Sequence, residues 1–357
     1  MTDGLAESPD APPTGLTHDA LTEQLTPEWG FYIRSARRFE QFKSAFQAIE
    51  VHDTVPFGKL FRLDGHFMTS EKDEFFYHEN LVHLAALTHP RPESALIVGG
   101  GDGGSAEELL KHPSMRSVTL AEIDSAVVDI ARKYLGAVHG GALDDPRLTL
   151  KVGDGFAYVR TATERFDLII LDLTDPGGPS ELLYTADFYR ACAARLNPGG
   201  AMTLHIASPI AHPDRIRATL AGLREAFPLV TPYLTSIPLY GGLWMMACAS
   251  ATLDPRSLTA DEVDRRIAAP RETPARAGRS PGPKGAFASA GGGRRHGATS
   301  HARLRGGRPV RALGRPGDAH SMDSRACRGA VARPFVRRSH AGVITRMPRT
   351  RFVARRK

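Results

Sequence analysis

Between Ser94 and Ser250 short apolar runs alternate with amphipathic stretches. "SALIVGGG", "SVTLAEID", "RLTLKVGDG", "FDLIILD", "AMTLHIAS" and "LWMMACAS" read as strands. "SAEELLKH", "SAVVDIARKYL", "TADFYRACAARL" and "PDRIRATLAGLREAF" read as helices between them. Strands separated by a helix do not form hairpins. They lie parallel, in an α/β sheet covered by helices on both faces. Ligands of such sheets bind beyond the carboxyl ends of the strands, so the residues that close each run are the first candidates for function.

Upstream, "AFQAIEVHD" and "KLFRLDGHFMT" alternate apolar and polar residues, and Asp64-Gly65 is a hairpin turn signal, so Trp29 to Thr69 reads as a small β unit. Ser70 is expected to cap a helix over "SEKDEFFYHENLVHLAAL", with acids in its first turn, ending before His89-Pro90. Four segments follow. Residues 1–27 are a disordered leader, 28–90 a β-hairpin domain with its linking helix, 91–269 the α/β domain, and 270–357 a disordered Arg-rich tail.

Charge divides at the same place. Residues 271–357 hold 22 Lys+Arg against 3 Asp+Glu, whereas the remainder holds 24 against 36. The body is therefore acidic, and the chain's net charge of +7 describes neither part. The tail's Arg, Ala, Gly and Pro bias is what GC-rich DNA yields when read out of frame, and a frameshifted end is the expectation. The tail carries charge for phosphates but no folded nucleic-acid motif, so nucleic acid is not an expected partner. No apolar run reaches the roughly 20 residues of a membrane span. The first thirty residues lack a secretory pattern, and Cys192, Cys248 and Cys327 lie far apart, which points to a reducing, cytoplasmic compartment.

The strand ends carry the chemistry. Gly99, Gly101 and Gly104 in "VGGGDGG" satisfy G-x-G-x-x-G after a strand. Asp102, inside that loop, would repel a pyrophosphate, so the loop favours a neutral or cationic ligand over a dinucleotide. Glu122 closes the second strand, where an acid accepts ribose hydroxyls. Asp154, beside Gly155, closes the third, where a carboxylate can receive an adenine amino group. Asp172 closes the fourth, and Asp175 follows in a loop stiffened by Pro176 and Pro179. Turn and cap acids would explain any one of these positions. Together they describe an adenosine site beside an acidic pocket that attracts amines. His78 and His83 in "HENLVH" miss the spacing of a helical zinc pair, and no metal is expected.

The chain from about Trp29 to Ser250 resembles the spermidine synthases, the polyamine aminopropyltransferases. The resemblance lies in "FGKLFRLDG", "EKDEFFYHENLVHLAALTHPRPESALIVGGGDGG", "LKHPSMRSVTLAEID", "LDDPRLTLKVGDGF", "DLTDPGGP" and "IPLYGGLW", in that order. It implies a small N-terminal β domain followed by a Rossmann-like, methyltransferase-type sheet, assembled as a homodimer or homotetramer. It implies transfer of an aminopropyl group from decarboxylated S-adenosylmethionine, a co-substrate with no further cofactor, to putrescine. Carried over by motif, Asp172 is the catalytic base. Gln47, Asp102, Glu122, Asp154 and Gly155 hold the donor. Tyr77, His78, Asp175 and Tyr240 line the amine side, and residues 172–184 form a gatekeeping loop. Glu107, Leu173, Gly177 and His205 depart from the family's common residues. "DPRSLTADEVDRRIAAP" resembles the start of its last segment, after which the match ends. Two other readings are an S-adenosylmethionine-dependent amine N-methyltransferase on the same scaffold, and a weakly active or inactive paralogue acting as a binding protein.

Overall fold

The computed structural model describes residues 19–176 and 178–268. The segments expected to be disordered beyond these limits, 1–18 and 270–357, lie outside the described residues, and Cys327 with them.

The β unit begins earlier than its sequence pattern suggests. Strand β1 (Ala20–Thr26) pairs antiparallel with β2 (Trp29–Arg34). The end of the expected leader is therefore a strand. Its apolar period is short, but Leu21 and Leu25 are buried, and Glu23 accepts the Phe67 amide at 2.6 Å and bonds His66 at 2.7 Å. A four-stranded antiparallel meander follows, β3 (Arg37–Lys43), β4 (Ala48–Thr54), β5 (Gly58–Leu63) and β6 (His66–Ser70). Asp64 and Gly65 join its last two strands with φ of 48° and 84°, the left-handed pair that a two-residue hairpin requires.

Helix α1 (Phe75–Thr88) starts after Glu74, not after Ser70, and has no acid in its first turn. The acids meant for that turn are used elsewhere. Glu71 pairs with Lys59 at 2.6 Å, and Asp73 accepts the Leu239 amide at 2.8 Å and the Ser70 hydroxyl. Tertiary bonds thus override the capping signal. The helix ends before Pro90, with His89 extended.

The large sheet holds β7 (Ser94–Gly99), β8 (Ser117–Glu122), β9 (Leu148–Val152), β10 (Phe166–Asp172), β11 (Leu196–Ala207), β12 (Leu229–Ile237) and β13 (Gly242–Ser250), in the order β12-β13-β11-β10-β7-β8-β9. The pairings from β11 through β9 are parallel, and β13 runs antiparallel between β11 and β12. Helices α2 (Gly104–Leu110), α3 (Ser125–Tyr134), α4 (Gly136–His139), α5 (Gly155–Thr161), α6 (Ala186–Arg195) and α7 (Pro213–Ala226) connect the strands, and α8 (Ala260–Ala268) follows the sheet. This is the Rossmann-like sheet expected. Strand β12 escapes the pattern because Pro232 breaks "LVTPYLTSI". It is an edge strand paired only to β13, where a missing amide is tolerated.

Alternation along β7 and β10 splits the core. Ile97, Leu168 and Ile170 face α1 and the β unit, whereas Leu96, Val98, Ile169 and Leu171 face Phe188 and Tyr189 of α6. Two buried layers flank one sheet, and the β unit shares the first of them. Arg266 of α8 donates to the carbonyls of Leu87 and Thr88, which satisfies the end of α1. Strand order reverses between β7 and β10, and the crevice above these two strands is where such a sheet binds its ligand. Among the described residues no helix is long and apolar enough to cross a membrane.

Candidate active site

The ends of β7 and β10 are in register, with Asp172 opposite Gly99. Asp172 is thereby fixed at the base of the glycine loop. Its Oδ1 accepts the Tyr77 hydroxyl at 3.0 Å, and its Oδ2 accepts the Ser105 hydroxyl at 2.7 Å. Tyr77 comes from the first turn of α1 and Ser105 from α2, so three elements converge on one carboxylate. Asp102 lies beside it, with Oδ1 accepting the Gly104 amide at 3.1 Å. Between the two acids sits His78. Its Nε2 is 3.5 Å from Asp102 and 4.0 Å from Asp172, and its Nδ1 bonds Glu74 at 2.8 Å.

This arrangement drives the two aspartates apart. Burial raises Asp172, the Asp102 charge adds to the rise, and the bonds from Ser105 and Tyr77 do not cancel it. Burial would raise Asp102 too, but the His78 charge and hydrogen bond prevail and hold it below the usual range. Burial alone would push His78 down. The carboxylates of Asp102 and Glu74 keep it well above its ordinary value. The two neighbouring carboxylates are thus pushed in opposite directions, Asp102 toward its ionised form and Asp172 toward its protonated one. The ligand atoms of His78, Asp102 and Asp172 lie within 4.8 Å of one another, a spacing that could hold a metal. A metal needs the neutral imidazole, whereas the carboxylates of Asp102 and Glu74 draw this histidine toward its charged form.

A cavity of about 130 Å³ opens over these groups, lined by Gln47, Asp102, Glu122, Asp154, Gly155 and Asp172. Glu122 accepts the amides of Gly101 at 3.1 Å and Asp124 at 2.9 Å. Burial nevertheless lifts it to about 7. Asp154 caps α5 by accepting the Phe156 amide at 2.8 Å while it lines the cavity. Gln47 reaches from the β unit to Asp124 at 3.1 Å, beside the Ser44 hydroxyl at 2.6 Å. All five expected donor residues therefore border one cavity.

A second cavity of about 340 Å³ shares Gln47, Leu173, Thr174 and Tyr240 with the first. Asp175 lines it. Its Oδ2 is paired with Arg215 at 2.8 Å. The Tyr240 hydroxyl donates to the Met68 carbonyl at 2.7 Å, so Tyr240 offers the cavity its ring. His205 accepts from Trp244 at Nδ1, at 3.2 Å, and bonds the Leu173 carbonyl at 2.7 Å and Tyr184 at 3.0 Å through Nε2. Tyr184 in turn donates to the Thr174 carbonyl at 2.9 Å, which ties the loop after β10 to its base.

Sequence reasoning missed Glu74, Ser105 and Arg215. Glu74 stands four residues before His78, a helical spacing that could have revealed it. Ser105 directly follows the glycine motif. Arg215 lies 40 residues beyond its partner on another element, and no local signal links them.

A profile of the spermine/spermidine synthase domain matches residues 74–257. The chain belongs to the spermine/spermidine synthase family. A polyamine aminopropyltransferase of Nitrosomonas europaea is 52% identical over 255 residues, covering 71% of this chain and 78% of that one. One from a Thermoanaerobacter species (strain X514) is 43% identical and covers 69% and 88%. Among solved structures, a spermidine synthase in complex with the transition-state analogue AdoDATO superposes with a TM-score of 0.67 at 35% identity, covering 70% of this chain and 86% of that one. The spermidine synthase of Thermotoga maritima gives 0.63, also at 35% identity, with 67% and 81% covered. The family match bears out the resemblance carried by the six quoted stretches, and the solved relatives bear out the expected fold.

Proposed function

We propose that this enzyme transfers the aminopropyl group of decarboxylated S-adenosylmethionine to putrescine, releasing spermidine and methylthioadenosine. The observation that carries the assignment is Asp172, a carboxylate raised in pKa, held between Tyr77 and Ser105 and lining the first cavity.

The chemistry explains why a base is needed. The donor's sulfonium already makes its neighbouring carbon electrophilic, and the nucleophile is the limit. A primary amine titrates at about 10.4, so near pH 7.4 only about one in a thousand is free base. That protonation adds roughly 4 kcal/mol to the barrier. Asp172 takes the proton as the amine nitrogen bonds the propyl carbon. The carbon–sulfur bond breaks, its electron pair stays on sulfur, and methylthioadenosine leaves uncharged. Tyr77, pushed well up by burial and by the Asp172 charge, remains a phenol and steadies the carboxylate. Glu122 holds the ribose and Asp154 the adenine. Asp102 faces the aminopropyl arm with His78 as its counter-charge. Intact S-adenosylmethionine would bring its own carboxylate against Asp102 and Asp172, and the like-charge clash disfavours methyl transfer.

A product assay tests this reading. Full-length chain is given putrescine with the decarboxylated donor, and separately with the intact one. Spermidine and methylthioadenosine from the decarboxylated donor alone are expected. Methylputrescine from the intact donor would reverse the assignment.

Glu122 supplies a pH test. A carboxylate accepts ribose hydroxyls better when ionised, and the free protein protonates Glu122 below about 7. Methylthioadenosine affinity is therefore expected to rise several-fold from about pH 6 to 8, and the rise to vanish in Glu122→Gln. Calorimetric titration across that range decides it. A flat profile in the wild type would remove Glu122 from the ribose site. We further propose a homodimer or homotetramer, located in the cytoplasm.

A further inference from the structure

The larger cavity has a charge pattern that bears on which amine the enzyme accepts, an inference that rests on the aminopropyl-transfer reading. Its lining holds three carboxylates, Glu23, Asp64 and Asp175. Glu23 is bound to His66 at 2.7 Å and to the Phe67 amide, and this bond holds His66 above its ordinary pKa. Asp64 accepts the Ala48 amide at 2.8 Å. Asp175 gives Oδ2 to Arg215, while its Oδ1 faces His205 Nδ1 at 4.0 Å. Burial pushes His205 down, and its Nδ1 accepts from Trp244, so His205 brings no positive charge to Oδ1. One oxygen of Asp175 thus remains for one ligand ammonium.

We propose that Arg215 is a specificity-determining residue that restricts the acceptor to a diamine. A diamine presents one nitrogen to Asp172 and its second, as an ammonium, to Asp175 Oδ1. A triamine has a further ammonium to place. The wall around Asp175 offers it the Arg215 guanidinium, while Glu23 is paired with His66 and Asp64 is bonded through one oxygen to the Ala48 amide. Like charge at that wall raises the cost of the longer amine without touching the reacting centre. Helix α7 anchors Arg215 close to its own N-terminus, so the cation projects from a rigid element rather than from the loop.

The experiment compares kcat/KM for putrescine and for spermidine as acceptors in the wild type, Arg215→Gln and Arg215→Lys, with methylthioadenosine binding measured alongside. Arg215→Gln is expected to raise the spermidine-to-putrescine ratio about tenfold or more, chiefly through a lower KM for spermidine, whereas Arg215→Lys, which keeps the charge, stays near the wild type. A ratio unmoved by Arg215→Gln overturns the proposal. So does an equal shift in both variants, which would make shape rather than charge the discriminator. Loss of turnover with both amines while methylthioadenosine still binds also overturns it and makes Arg215 a positioning residue of the loop. A wild type that turns over neither amine refutes the transfer reading itself, a result distinct from any of these.

Discussion

Asp172→Asn is expected to cut aminopropyl transfer about 10²- to 10⁴-fold near neutral pH while methylthioadenosine binding stays near the wild type. Asparagine keeps the shape and can still meet the Tyr77 and Ser105 hydroxyls, the two partners seen at 3.0 and 2.7 Å. What it lacks is a site for the amine's proton. The variant must wait for the rare free amine from solution, so its rate should climb about tenfold per pH unit toward the amine's own pKa of about 10.4. In the wild type the climb flattens once Asp172 is ionised. Single-turnover rates at saturating donor, from about pH 6 to 10, measure both profiles. A variant within about threefold of the wild type near pH 7.4 would show that the proton leaves by another route.

Gly99→Ala is expected to be the most damaging single-methyl change among the described residues. Gly99 has φ of 79°, and a Cβ there would lie 2.1 Å from the Asp172 backbone oxygen. Neither backbone can yield without breaking the β7–β10 register. Left-handed strain and overpacking together amount to on the order of 3–5 kcal/mol. For a body of this size that corresponds to a melting point lower by roughly 10 °C. Activity should fall further than stability, because the displaced strand end carries Asp172, the proposed base. Gly136→Ala is the control, since no heavy atom lies within 4 Å of its added Cβ. A Gly99→Ala melting point within about 2 °C of the wild type would mean that the loop is softer than its geometry implies.

Much of this was legible before the structure. Parallel strands announce themselves by apolar runs interrupted by helices, and the functional acids stand at the run ends because backbone pairing stops there. Asp102, Glu122, Asp154 and Asp172 could therefore be placed on one crevice from order alone. Features set by distant partners were not legible. Ser70 looks like a helix cap until Asp73 is seen to serve the Leu239 amide. Pro232 hides β12 until the strand proves to be an edge. The surroundings of Asp175 were hidden for the same reason. Asp175 reads as a free acid in "DLTDPGGP", and its neutralising arginine arrives from α7. His78 was placed on the amine side by resemblance. In the fold it lies buried between Asp102 and Glu74 while it lines the first cavity, a placement that no spacing within α1 specifies.

The bonds that join the β unit to the large sheet also govern how substrates come and go. Asp73 grips the Leu239 amide, Tyr240 grips the Met68 carbonyl, and Ser44 and Gln47 both hold Asp124. These rivets surround the crevice on two sides, and a clamshell motion would have to shear them all for every turnover. The small β unit is therefore a fixed jamb rather than a swinging door. The strap between β10 and α6 is tied by other partners, with Tyr184 bonded to the Thr174 carbonyl, His205 to the Leu173 carbonyl and Arg215 to Asp175. The crevice is thus framed by two independent sets of ties, one reaching across from the β unit and one reaching the strap from α7 and β11.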